Sequence, residues 1–173
     1  MYYVRKLSNN PNLLKIKNTT NIDDLDADIL KQELGTTANM LSFWKCERRE
    51  ELVDTMKAIL LSTTAIKSSQ FYILTDDILE KYGLRMDDSE EGLTGYKGHE
   101  HLHVNMIGLN YYKIGLVLKM LNEVFQKSTY TPKIDKQTAK EYIMEVHQAG
   151  LLNIESVQES LRKDIIKYCE IIV

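Results

Sequence analysis

Three of the four histidines lie close together, in the segment Gly98-His99-Glu100-His101-Leu102-His103. Side chains two positions apart in a strand point to the same side, so an extended backbone would place His99, His101 and His103 on one face. Three imidazoles are a ligand set for zinc or a similar divalent metal that keeps one water. Such a water is nucleophilic near neutral pH, and the candidate general base is Glu100 or an acid of the preceding loop, such as Asp88 or Glu91. The segment therefore predicts a hydrolytic metal site.

The same segment also fits an interpretation without a metal. Histidines that follow a glycine-rich loop can be solvated, or can bond backbone carbonyls while Leu102 and Val104 point into the core. The spacing is not that of a helical HExxH motif. His147, in a predicted helix, could add a distant ligand, but a partly buried helical histidine is the commoner outcome. Both interpretations stay open at this stage.

A second group of residues could bind a ligand or a partner without catalysis. Arg5 lies at alternate positions with Tyr3 and Leu7 in a predicted strand, so it could bind a ligand phosphate if that face is buried. More often such an arginine lies on the solvated face or pairs with a carboxylate at a sheet edge. Tyrosines number ten against three phenylalanines, and tyrosine is favoured at protein interfaces. The aromatic candidates for a pocket wall or an interaction face include Trp44, Tyr96, Tyr111 and Tyr112.

The sequence gives little support for cysteine, P-loop or serine-hydrolase chemistry. Cys46 and Cys169 are far apart in the chain and form no CxxC pair, and Cys46 fits a small buried side chain better than a nucleophile. The sequence contains neither a phosphate-binding P-loop nor a GxSxG elbow. We find no signal peptide and no apolar stretch that would span a bilayer. These features predict a cytoplasmic protein with reduced thiols and no membrane contact.

The composition favours a soluble globular domain. Of the 173 residues, 43% are hydrophobic and 27% are charged. The net charge of −3 argues against general nucleic-acid binding, which favours basic proteins. Only five of the 22 basic residues are arginines, so few side chains could clamp a phosphate or carboxylate in a bidentate way.

The hydrophobic pattern alternates between strand and helix. The strand at 40–46 leads into an amphipathic helix with Leu52, Met56 and Ile59 on one stripe, and a second strand and short helix follow. A helix over 23–34 ends at Gly35, and an acidic glycine-rich loop spans 86–98. The predicted strands lie near residues 2–7, 40–46, 70–75, 84–87, 101–104 and 168–173.

These elements predict an α/β or α+β fold with a small mixed sheet covered by helices. Residues 1–130 form the predicted α/β domain. Residues 131–173 form a C-terminal helical hairpin and a final strand that pack on the same domain. The order and direction of the strands cannot be inferred from the pattern.

The leading hypothesis is a small cytoplasmic, non-enzymatic interaction protein. It would be an accessory, immunity-like or regulatory subunit of a larger prokaryotic or phage assembly, with a protein partner or further copies of itself. The alternative is a metal-dependent hydrolase or nuclease that uses His99, His101 and His103. We expect no cofactor under the first hypothesis and a zinc-like divalent metal under the second. The sequence does not decide whether the protein is an enzyme.

Overall fold

The computed structural model describes residues 1–7, 16, 38–88 and 90–169, and the side chain of Ser128 is not described. Its six strands are β1 (Tyr2–Lys6), β2 (Leu41–Cys46), β3 (Ser69–Thr75), β4 (Met86–Asp87), β5 (His103–Met106) and β6 (Lys133–Ile134). They form one sheet in the order β4-β5-β2-β1-β3-β6. All of its strand pairings are antiparallel.

Five α-helices accompany the sheet in the described part of the chain. They are α1 (Leu52–Leu60), α2 (Asp76–Lys81), α3 (Tyr111–Phe125), α4 (Lys136–Gln148) and α5 (Glu159–Cys169). The predicted α/β class is confirmed, and α4 and α5 agree with the predicted C-terminal helical pair. The predicted helix over 23–34 lies outside the described residues.

The expected mixture of strand directions is wrong, for a topological reason. The predicted strand-helix unit exists, since β2 is followed by α1 and then by β3. However, β1 lies between β2 and β3 and is antiparallel to both. Strands β2 and β3 therefore run in the same direction but never pair with each other.

One face of the sheet packs against α1, α4 and α5. Val4 on β1 lies opposite Trp44 on β2 and Ile73 on β3, and all three side chains are buried in one cluster. The helices fill the other side of this cluster with Met56, Ile59, Ile143, Val146, Leu161 and Ile165. The C-terminal helices thus share a core with the sheet.

The opposite face of the sheet packs against α3. Tyr72 on β3 is fully buried there, and its ring meets Phe43 and Phe125 edge-on, at centroid distances of 5.7 Å and 5.9 Å. This geometry is favourable for aromatic pairs. The helix contributes Val117, Leu118, Met120, Leu121, Val124 and Phe125 to the cluster. The residues between 2 and 7 alternate between the two faces, as the period of a strand requires.

The predicted last strand near 168–173 is contradicted at its start. Tyr168 and Cys169 form the end of α5, and residues 170–173 lie outside the described residues. The spacing of Leu161, Ile165 and Cys169 explains this result, because these buried residues repeat every four positions on one helical face. Helical periodicity therefore extends further than the β-branched composition of the chain end suggested.

Glu123 on α3 links this helix to the end of α2. Its carboxylate pairs with Lys81, accepts a hydrogen bond from the Tyr82 hydroxyl at 2.9 Å and pairs with Lys127 at 3.3 Å. The hydrogen bond from Lys81, followed by that from Tyr82, holds the pKa of Glu123 down to about 2. The carboxylate therefore stays ionised through the mildly acidic range.

We expect Glu123→Gln to lower the free energy of unfolding by about 1 kcal/mol at neutral pH, the upper range for solvent-screened pairs. The pKa of Glu123 is lower in the folded state than in the unfolded chain. Its stabilisation is therefore present above the unfolded pKa and is lost as pH falls towards 2. Urea unfolding of both proteins should show a difference at pH 7 that shrinks at pH 3. A difference that is independent of pH would contradict this account.

Candidate functional site

The histidines do not share one face, because the backbone is not extended where they lie. Glu100–Leu102 forms a 3-10 turn, and β5 begins only at His103. Three residues complete a 3-10 turn, so the alternation expected for a strand is lost. His99 and His101 line one cavity, whereas His103 lines another. The predicted convergence of three imidazoles is therefore wrong.

The metal hypothesis receives no support from the described residues. Within 1–7, 16, 38–88 and 90–169, no group of three or more His, Cys, Asp or Glu side chains is arranged to hold a metal ion. Glu100, the predicted general base, contributes its backbone carbonyl to a 2.9 Å hydrogen bond from the Gly92 amide. Metal binding and a catalytic role for Glu100 stay predictions.

His99 and His101 border a cavity of about 480 Å³ at the end of β2 and the start of α1. The other lining residues are Met1, Lys45, Cys46, Glu47, Glu51, Asp54, Thr55 and Leu102. Several of its charged groups are already paired. The terminal amine of Met1 bonds Asp76 at 2.7 Å, and Lys45 bonds Asp88 at 2.6 Å. These ion pairs reduce the charge available to a ligand.

The Cys46 thiol does not have the properties of an activated nucleophile. The side chain is only 3% exposed, and burial raises the pKa of its thiol. Nucleophilic cysteines instead have a lowered pKa and partial exposure. Cys46 therefore acts as a small buried side chain, in agreement with the sequence-based interpretation.

Tyr96 and His99 form a stacked pair at the rim of this cavity. Their ring centroids are 3.6 Å apart, and the planes are inclined by only 15°. The Tyr96 hydroxyl lies 3.5 Å from Asp54, and burial together with this carboxylate raises the pKa of Tyr96. The His99 Nδ1 lies 3.1 Å from the Lys97 carbonyl, which can only accept, so Nδ1 carries a proton.

Two glycines fix the loop that carries Tyr96. A Cβ at Gly95 would lie 2.3 Å from Cγ2 of Val157, and a Cβ at Gly92 would lie 2.5 Å from Cβ of His103. Between them, the buried Thr94 hydroxyl donates to the Ala58 carbonyl at 2.8 Å. The glycines here permit close packing of the loop against α1, β5 and the turn before α5.

Arg5 lies at a second cavity, of about 270 Å³, beside His103 and Asn105. Its Nη1 donates to the Ser42 carbonyl at 2.8 Å, and its guanidinium lies 5.8 Å from the centre of the Phe43 ring. Backbone and aromatic contacts thus hold this arginine across the strands. Its predicted role in phosphate binding stays a prediction.

His103 and Asn105 are also tied to protein groups at this second cavity. The His103 Nδ1 lies 3.2 Å from the Glu90 carbonyl, and its ring meets Trp44 edge-on at 5.6 Å. The Asn105 amide donates to the Glu90 carboxylate at 3.2 Å. Glu90 therefore provides the hydrogen-bond partners of both His103 and Asn105 on β5.

The four aromatic candidates divide clearly by exposure. Trp44 and Tyr96 are buried, at 6% and 7% exposure. Tyr111 and Tyr112, at the start of α3, are 98% and 76% exposed. The buried pair belongs to the packed interior, whereas the exposed pair lies at the surface.

The sequence-based reasoning missed a group of lysines around Tyr168. The Nζ atoms of Lys136, Lys140 and Lys167 lie 4.5 Å, 5.1 Å and 5.0 Å from the centre of the Tyr168 ring. We call these four residues the Tyr168 cluster. The spacing of Lys136 and Lys140 indicates a shared helical face, but nothing local to α4 indicates that α5 adds Lys167 to the same place.

Comparison with known proteins finds no matching family model, no matching curated protein and no matching solved structure. Among the described helices, none combines the length and apolar character needed to cross a membrane. The assignment of function therefore depends on the geometry of this chain alone.

We expect Gly95→Ala to lower the free energy of unfolding by about 1–3 kcal/mol, because the new methyl group overlaps Val157. The control is Gly115→Ala on α3, where a Cβ meets nothing within 4 Å. That change should raise stability by about 1 kcal/mol, since alanine is the better helix former. Chemical denaturation measures both. Equal effects of the two substitutions would contradict the described packing of the loop.

Proposed function

We propose that this chain is a non-enzymatic, protein-binding accessory subunit that contacts its partner through the start of α3. The observation that carries the proposal is the exposure of two consecutive tyrosines, Tyr111 at 98% and Tyr112 at 76%. Large aromatic side chains are enriched at protein interfaces, where their rings bury much area at low cost in side-chain entropy.

The helix holds these two tyrosines in place. The Asn110 side chain accepts a hydrogen bond from the Lys113 amide at 3.0 Å and so caps α3. The far half of the helix is fixed in the core, beginning at Val117. No residue from 111 to 116 is fully buried, and Ile114 is the one among them that packs against the α3-side core. A preorganised surface loses little conformational entropy on binding.

The surface area that two tyrosines can bury is that of a pair of anchor residues within a larger interface. A buried tyrosine covers roughly 150–250 Å², whereas a stable interface buries about 1,200–2,000 Å² in total. Tyr111 and Tyr112 would thus be the centre of the contact, where a few aromatic residues contribute most of the affinity. The partly buried Ile114 and Leu116 lie next to them on the same helix.

The proposed location is the cytoplasm of a prokaryotic or phage-infected cell. Cys46 and Cys169 are both free and buried, which is compatible with a reducing compartment. An immunity-like or regulatory role within a larger assembly is part of the same proposal.

We expect the double variant Y111S/Y112S to lose its partner while keeping its fold. A tagged copy expressed in the source organism should recover the partner at a fixed ratio, and the double variant should recover about tenfold less. The matched control is Leu93→Ser, which changes another exposed apolar side chain, 85% exposed, in the loop between β4 and β5. Thermal unfolding should be nearly unchanged in both variants, since neither site is buried.

Equal recovery with Y111S/Y112S and wild type would contradict the proposal. Light scattering on the purified protein separates the two kinds of partner. A dimer that dissociates in the double variant would show that the surface binds a second copy and not a different protein.

A further inference from the structure

The Tyr168 cluster concentrates positive charge on the C-terminal helices of an acidic protein. Lys136 and Lys140 lie one turn apart on α4, and Lys167 reaches the same ring from α5. The negative face of the tyrosine ring attracts each ammonium group. All three ammonium groups therefore lie within 5.1 Å of the centre of one ring.

This charge is not neutralised by the described part of the protein. None of the three ammonium groups has a carboxylate within 4.0 Å among the described residues. By contrast, Lys163 on the same helix pairs with Glu159 at 2.7 Å. The lysines at Tyr168 thus differ from the neighbouring paired lysine in having no acidic partner there.

An open groove of about 390 Å³ adjoins the lysines, and Lys140 and Tyr168 form part of its wall. Met144 and Cys169 add apolar surface, and Gln148 adds an amide. The groove contains one described carboxylate, that of Glu141, which accepts a hydrogen bond from Gln137 at 3.0 Å. The groove thus places apolar contact area beside Lys140 and the Tyr168 ring, on which the other two ammonium groups also lie.

We propose that the Tyr168 cluster and this groove bind an acidic peptide segment of a partner protein. The carboxylates of the segment would pair with Lys136, Lys140 and Lys167, and an apolar side chain would lie against Tyr168 and Met144. This site is separate from Tyr111 and Tyr112, so the inference does not depend on the function proposed for α3.

Charge and residue type favour a peptide over a nucleic acid. The groove beside the lysines includes Met144 and Tyr168 in its wall, and this apolar surface suits the side chains of a peptide. Three lysines neutralise few phosphates, whereas nucleic-acid affinity grows with the number neutralised.

The test is fluorescence anisotropy with a labelled, glutamate-rich peptide that also contains leucine. Two further probes are the same peptide with glutamine in place of glutamate and a single-stranded DNA oligonucleotide. We expect the glutamate peptide to bind, more weakly as salt is added, and the glutamine peptide to show no binding. An oligonucleotide that binds as tightly as the glutamate peptide, or a glutamate peptide that does not bind, would overturn the proposal.

Two triple variants with the same change in net charge test whether the peptide binds at the Tyr168 cluster. K136Q/K140Q/K167Q should weaken the binding of the glutamate peptide about tenfold, because three exposed charge pairs are lost. K97Q/K119Q/K163Q removes the same net charge from exposed lysines outside the cluster and should change affinity less than twofold. Equal weakening in both triple variants would show a general charge effect and would exclude this site.

Discussion

The pairing of the first strand with two partners is the constraint on which the rest of the structure depends. β1 lies between β2 and β3, and Val4 at its centre is fully buried between Trp44 and Ile73. Without β1, the two longest strands would have no common neighbour in the sheet. Because β1 separates them, the sheet is antiparallel at every described pairing and has a helical layer on each face.

The sequence was informative where local periodicity decides the structure. The strand at 41–46, the helix at 52–60 and the helix at 111–125 all have side-chain patterns that match their observed faces. The order of the strands was not predictable, because β2 pairs with β5, which lies 59 to 65 positions further along the chain. The histidines show a local failure, since a single 3-10 turn at Glu100–Leu102 removes the alternation on which the metal site was predicted.

The candidate binding residues could be identified by type but not by exposure. Trp44, Tyr96, Tyr111 and Tyr112 are all aromatic, and only tertiary packing decides that the first two are buried. The Tyr168 cluster, a group of charged residues, was likewise not predictable from the sequence. Its lysines come from two helices, and the contact between those helices is not encoded in the spacing of either one. Both proposed binding surfaces therefore follow from three-dimensional packing, with the core supplying rigidity and the exposed helix ends supplying contact groups.

The most direct test of a partner surface at α3 is site-specific photo-cross-linking in the source organism. A photoreactive phenylalanine analogue replaces Tyr111 in one protein and Leu93 in another, since both side chains are highly exposed. The account predicts a cross-linked product of one defined mass from position 111 and none from position 93. The absence of a product at position 111, or the same product from both positions, would contradict it.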